Sequence, residues 1–282
     1  MIVNHGPIGV FDSGFGGLSI FREIHKLMPQ YDYIFLGDNG RAPYGDRSFE
    51  VVYQFTNQAV RRLFSMGCPL VILACNTASA RALRNIQVND LPKLGDPTKR
   101  VLGVIRPTIE RCADLSYSKH IGLLATQATV ASKSYEMELE KSHPEVKLTS
   151  RACPRWVKLI EQGLQDTREM HDIVKEDIEV MYDADPEIDT IILGCTHYPL
   201  ITSLIQRILQ EMEHPEIILM PQGRPVAYSL KDYLFRHPEV ETRLTRRGTC
   251  KFYTSGTLTN FDHLAELFLG RNVRVQANHI EW

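Results

Sequence analysis

The chain has 282 residues, 43% of them hydrophobic and 23% charged, a balance that excludes a disordered or fibrous protein and suffices for two domains or one large α/β unit. Lys plus Arg number 32 against 34 Asp plus Glu, so a net charge of −2 gives no electrostatic reason to expect nucleic acid or an anionic membrane as partner. No apolar run approaches the roughly 20 residues of a membrane helix, and residues 1–7 lack a signal peptide's basic start and hydrophobic stretch, so a cytoplasmic chain with reduced thiols is expected.

In chain order, short apolar runs of strand length fall at 8–11, 33–36, 70–74, 101–105, 121–125, 190–193, 217–220 and 251–253. Helical patterns occupy 18–27, 49–66, 77–86, 130–141, 170–182, 200–213, 226–235 and 261–269. This alternation predicts an α/β fold with a parallel sheet covered on both faces. Residues 89–98 (NDLPKLGDPT) carry two prolines and a glycine without periodicity and are the best linker candidate, and a second break lies at 221–223. The expected division is therefore one domain from 1–100 plus 221–282, discontinuous in sequence, and a second from 101–220. In that arrangement strand 251–253 joins the first sheet.

The six cysteines (Cys68, Cys75, Cys112, Cys153, Cys195, Cys250) form no C-x-x-C pair, which argues against a zinc knuckle or a thioredoxin-type centre, and no metal site is expected. Two of them stand in matched contexts. PLVILACNTAS (69–79) and TIILGCTHYPL (190–200) each run from strand to cysteine to a Thr-containing turn and then to helix. The carboxyl ends of parallel strands are where α/β sheets bind ligands, and the unpaired N–H groups of a helix start favour thiolate over thiol, so Cys75 and Cys195 are the reactive candidates. The other four read as small buried apolar residues.

DSGFGG (12–17) follows the first strand, but Ser19 stands where a dinucleotide loop needs its third glycine, so a plain tight turn fits as well as an anion-binding one. GDNGRAPYGD (37–46) is too polar for a core and reads as a binding loop or a solvated turn. Thr126 and Thr129 either hold a carboxylate or cap the next helix. His197, two residues beyond Cys195, is placed to tune that thiol. None of these strand-end loops contains a lysine, so a pyridoxal phosphate anchor has no candidate there.

Taken together, GVFDSGFGGLS (9–19), GDNGRAPYG (37–45), ACNTAS (74–79), LLATQATVAS (123–132), LGCTHYPL (193–200) and FYTSG (252–256) resemble the glutamate racemases of the cofactor-independent aspartate/glutamate racemase superfamily. The resemblance implies two pseudo-symmetric α/β domains facing each other across a cleft, with no cofactor and one catalytic cysteine from each domain. Cys75 and Cys195 would be the acid/base pair, assisted by Asp12 and His197. Ser13, Tyr44, Gly45, Asn76, Thr77, Thr126, Thr129 and Thr196 would bind glutamate, together with Asp12 and His197. A homodimer and a role in supplying D-glutamate for peptidoglycan, and so for cell-wall biogenesis and cell shape, are implied in the same way.

The chemistry suits those residue types: inversion at an α-carbon without redox needs a base on one face and an acid on the other. Three departures stand outside the cysteine motifs: Arg106-Pro107-Thr108, Ser255-Gly256-Thr257 and residues 221–225 (PQGRP). Competing readings are an aspartate racemase of the same superfamily, a cysteine hydrolase built on Cys195, His197 and Asp12, and a non-catalytic amino-acid-binding protein on this scaffold.

Overall fold

A computed structural model describes residues 5–258, 261, 265, 268–269 and 276–282. Its strands are β1 (Ile8–Asp12), β2 (Tyr33–Gly37), β3 (Leu70–Leu73), β4 (Arg100–Gly103), β5 (His120–Ala125), β6 (Lys147–Ala152), β7 (Thr190–Gly194), β8 (Ile218–Met220), β9 (Cys250–Thr254) and β10 (Ala277–His279). They form two sheets with every pairing parallel: a six-stranded sheet in the order β10-β9-β2-β1-β3-β4 and a four-stranded sheet in the order β6-β5-β7-β8.

The inner strands are buried on both faces, which is why they read as continuous apolar runs rather than as an alternation. Two apolar clusters sandwich the larger sheet. One joins Val10, Phe35 and Ile72 to helices α1 (Leu18–Leu27) and α10, the latter covering Gly223–Arg236. The opposite cluster joins Phe11, Leu36 and Leu73 to α2 (Phe49–Ser65) and α3 (Asn76–Asn85). The smaller sheet packs on one face against α4 (Ile105–Leu115) and α6 (Ser134–Ser142), which follows the short α5 (Gln127–Ala131). Its other face meets α7 (Trp156–Glu161), α8 (Arg168–Ala184) and α9 (Thr202–Glu211).

Several expectations are corrected. The strand near residue 101 covers Arg100–Gly103 and pairs with β3 in the six-stranded sheet, so a boundary at 100/101 places it in the wrong half. The chain passes to the smaller sheet only after Gly103, through α4. The expected linker is partly ordered as a π-turn (Ile86–Asp90) and a 3-10 turn (Leu91–Leu94). The helix expected over 130–141 is broken at Lys133, whose φ of 54° is left-handed, into α5 and α6. Strand β9 pairs with β2 and β10. The helix expected at 261–269 falls largely outside the described residues.

Candidate active site

Parallel sheets present all their strand carboxyl ends on one side, and the loops that leave β1, β2, β3, β5 and β7 converge there. They line a cavity of about 260 Å³ whose wall contains both candidate thiols. Ser13, Tyr44, Gly45, Cys75, Asn76, Thr77, Thr126, Cys195, Thr196 and His197 all face it. A larger cavity of about 780 Å³ lies between α3, α4, α6 and α10 and contains neither thiol, so size does not identify the chemistry here.

Asp12 and Thr129 stand one layer behind the wall. Asp12 is fully buried and its Oδ2 accepts hydrogen bonds from the Gly14 and Gly17 N–H groups at 3.1 and 2.9 Å, so the loop's donors serve its own carboxylate and not a phosphate. Among the described residues Asp12 Oδ1 has no hydrogen-bond partner. Burial raises the Asp12 pKa, opposed by these backbone hydrogen bonds and by the charge of His197. Thr129 Oγ1 lies 3.0 Å from Thr126 Oγ1 and 3.3 Å from Thr77 Oγ1, closing a triangle of hydroxyls across the two sheets.

Two further contacts hold the halves together at the cavity. The Ser19 hydroxyl donates to the Thr196 carbonyl at 3.3 Å, and the Ala128 N–H donates to the Gly45 carbonyl at 3.0 Å. Gly16 is required by the closeness of this approach: a Cβ there would fall 2.3 Å from Thr196 Oγ1 and 2.8 Å from His197 Nδ1.

The two thiols occupy equivalent strand ends in different surroundings. Cys75 is the N-cap of α3, its Sγ accepting from the Ala78 N–H at 3.4 Å and lying 3.3 Å from Ser13 Oγ. The helix start was expected to favour thiolate, but burial and the nearby Asp12 carboxylate outweigh Ser13 and Ala78 and push the thiol up to about 12. Cys195 caps no α-helix, because a 3-10 turn (Tyr198–Ile201) separates its turn from α9. Its Sγ lies 3.9 Å from His197 Nδ1, and His197 Nε2 lies 3.1 Å from Glu161 Oε1. Burial alone would lower the His197 pKa, yet the hydrogen bonds and charges of Cys195 and Glu161 raise it to about 10, leaving a protonated imidazole beside the sulfur.

Sequence reasoning missed Glu161, which ends α7, because nothing in the local pattern distinguishes it from other charged helix residues. It also missed Lys158 and Cys153, which face the cavity from α7 and from the loop before it. Lys158 is the wall's lysine, exposed and outside the strand-end loops where none was found. Asp38, in the loop after β2, is fully buried and accepts hydrogen bonds from Tyr44 and Arg41, fixing the loop that carries Tyr44. Among the described residues no group of three or more His, Cys, Asp or Glu could hold a metal ion, and no helix is long and apolar enough to cross a membrane.

Known proteins are similar to this chain along nearly its whole length. The glutamate racemase of Ruegeria sp. (strain TM1040) is 38% identical over 280 residues, covering 96% of this chain and 99% of the relative. The crystal structure of glutamate racemase isoform RacE1 from Bacillus anthracis superposes with a TM-score of 0.86 at 32% identity, covering 99% of this chain and 98% of that one. That of the Francisella tularensis glutamate racemase in complex with D-glutamate does so with a TM-score of 0.84 at 29% identity and the same coverage. A family model described as Asp/Glu/Hydantoin racemase matches residues 8–218, from the first residue of β1 to the first of β8. A match that spans both thiol-bearing strand ends, β3 and β7, with relatives of this identity and coverage, means that the chain belongs to the Asp/Glu/hydantoin racemase family.

Proposed function

We propose that the protein is a cofactor-independent glutamate racemase in which Cys75 and Cys195 exchange the α-proton with opposite faces of the substrate. The observation that carries this reading is the presence of both thiols, from matched strand ends of two sheets, on the wall of one cavity. As a thiolate, one removes the α-proton while the other, as a thiol, delivers a proton to the opposite face; the C–H bond broken and the C–H bond formed balance, and the two thiols exchange protonation states.

The site supplies what such a step needs. Asn76, Thr77, Thr126 and Thr196 offer amide and hydroxyl donors for carboxylate oxygens, and the first-turn N–H groups of α3 add to them. The imidazolium of His197 places positive charge beside Cys195, while Glu161 holds the ring. In the resting site burial keeps the proton on Cys75, so Cys75 is placed to act first as the acid, with Cys195, beside the His197 ring, as its partner on the other wall. By resemblance to the family, that is the direction from L- to D-glutamate.

The same proposal includes two lobes, one of residues 1–103 with 221–282 and one of 104–220, closing on the substrate to exclude water. It includes a homodimer, a cytoplasmic location and D-glutamate supply for peptidoglycan. Incubating the purified chain with L-glutamate in deuterated water without added cofactor tests the activity: D-glutamate bearing deuterium at the α-carbon is expected. Racemisation seen only after pyridoxal phosphate is added would refute it.

A further inference from the structure

We propose that residues 277–282 form a strap that positions the Tyr44 loop against the substrate, with Trp282 as its positioning residue. Strand β10 adds to the open edge of β9, and the Ile280 N–H donates to the Thr254 carbonyl at 2.9 Å. Ile280 is buried in the same apolar cluster as Tyr44, Phe11 and Val52. The chain is thereby carried across the strand carboxyl ends, and the Trp282 ring reaches the loop that follows β2.

Two interactions meet there. The Trp282 indole N–H donates to Asp38 Oδ1 at 2.8 Å, and the guanidinium carbon of Arg41 lies 4.0 Å from the centroids of both the Trp282 and the Phe55 rings. Asp38 is fully buried, with Ser255 Oγ donating to Oδ1 at 2.6 Å, Arg41 Nε donating to Oδ2 at 2.7 Å and Tyr44 OH donating to Oδ2. A buried carboxylate is tolerated only when its lone pairs are filled, so the orientation of Asp38, and of the tyrosine hung from it, depends on donors brought in from residues 255 and 282.

None of Asp38, Arg41 and Trp282 faces the cavity, whereas residues 42–46 do. Trp282 therefore acts on substrate only through Asp38, Arg41 and Tyr44. Both thiols lie on other elements, so loosening the strap is expected to weaken substrate binding and leave the proton transfer intact.

The full chain and the variants Trp282→Ala and Trp282→Phe decide this through two readouts. Amide hydrogen exchange of residues 38–46 in the free protein is expected to quicken about tenfold in Trp282→Ala and less in Trp282→Phe, which keeps the ring over Arg41 but loses the N–H. Exchange in 190–194 should stay unchanged. The kinetic readout rests on the racemase reading: KM for glutamate should rise about tenfold in Trp282→Ala, with kcat within about threefold of the parent.

A third signal comes from fluorescence, since the chain has only two tryptophans and Trp156 is fully buried. Acrylamide quenching of the parent should fall on adding D-glutamate, and that response should vanish in Trp282→Phe. Unchanged exchange at 38–46, equal acceleration at 190–194, or a fall in kcat at constant KM would each overturn the strap. If the parent fails to racemise glutamate, the functional reading falls while the exchange experiment still decides whether the strap holds the loop.

Discussion

The walls at Cys75 and Cys195 are alike in topology and different in the charged groups beside each sulfur. Each thiol follows the end of a buried parallel strand, β3 in one sheet and β7 in the other. Around Cys75 the neighbours are a serine hydroxyl, the backbone N–H groups of Ser13 and Ala78 and the buried Asp12, and burial keeps the proton on sulfur. Around Cys195 the neighbours are an imidazole with its pKa raised and the carboxylate that holds it. Pseudo-symmetry thus extends to the strand ends and stops at the electrostatics. In the proposed two-base reaction the sulfurs exchange protonation states, so the difference sets which form the resting site holds rather than whether the reaction can run.

The strongest way to break the comparison is to remove one wall's sulfur. Cys75→Ala and Cys195→Ala are each expected to lower kcat by about 10³-fold or more in both directions, since the proposed mechanism makes each residue the base one way and the acid the other. Steady-state racemisation followed by circular dichroism from either enantiomer reads this. Near-normal activity in Cys75→Ala would make that residue a packing cysteine.

Gly16→Ala comes next. The new methyl would overlap Thr196 Oγ1 and His197 Nδ1, forcing the Cys195 wall away from the β1 loop. A loss of about 10²-fold in kcat/KM with an unchanged circular dichroism spectrum is expected, since misplacing a catalytic group by about 1 Å has that cost.

A smaller effect sharpens the charge asymmetry. Glu161→Gln removes the carboxylate that helps raise the His197 pKa, so kcat should fall about tenfold. The imidazolium is lost as pH rises through about 10 in the parent. Without Glu161 that alkaline limb should move to lower pH, and an unmoved limb in the pH–rate profile would show that the ring is held by other means.

The smallest effect concerns stability. Cys75 and Cys68 are both raised from 9.0 to about 12 by burial, so the folded chain keeps protons that the unfolded chain releases. Their contribution is intact below pH 9 and is lost as pH rises towards 12, at about 1.4 kcal/mol per pH unit for each thiol. Urea denaturation at about pH 8 and about pH 10 measures the slope, and Cys68→Ala should make it shallower by one thiol's share.

The legible parts of this molecule were those whose signal is local. Strands β1, β2, β3 and β7 are buried on both faces and appear as unbroken apolar runs. The edge strands β6 and β10 are partly exposed, lack that run, and could not be read as strands. Cys75 and Cys195 stood out because their strand-end contexts repeat. Glu161 contacts His197 across 36 positions, and Trp282 contacts Asp38 across 244, so neither could be found from spacing. The expected depression of the Cys75 pKa failed for a related reason: a helix N-terminus is visible in sequence, whereas the burial that outweighs it comes from the whole fold.

The central claim is that each thiol serves one face of the α-carbon, and solvent exchange measured separately for the two enantiomers tests it most directly. In deuterated water, Cys195→Ser should slow α-deuterium incorporation into L-glutamate more than into D-glutamate, because a hydroxyl still donates a proton but is a poor base. Cys75→Ser should give the reverse order. If both variants slow the same enantiomer, or slow the two equally, the assignment of one sulfur to each face is wrong.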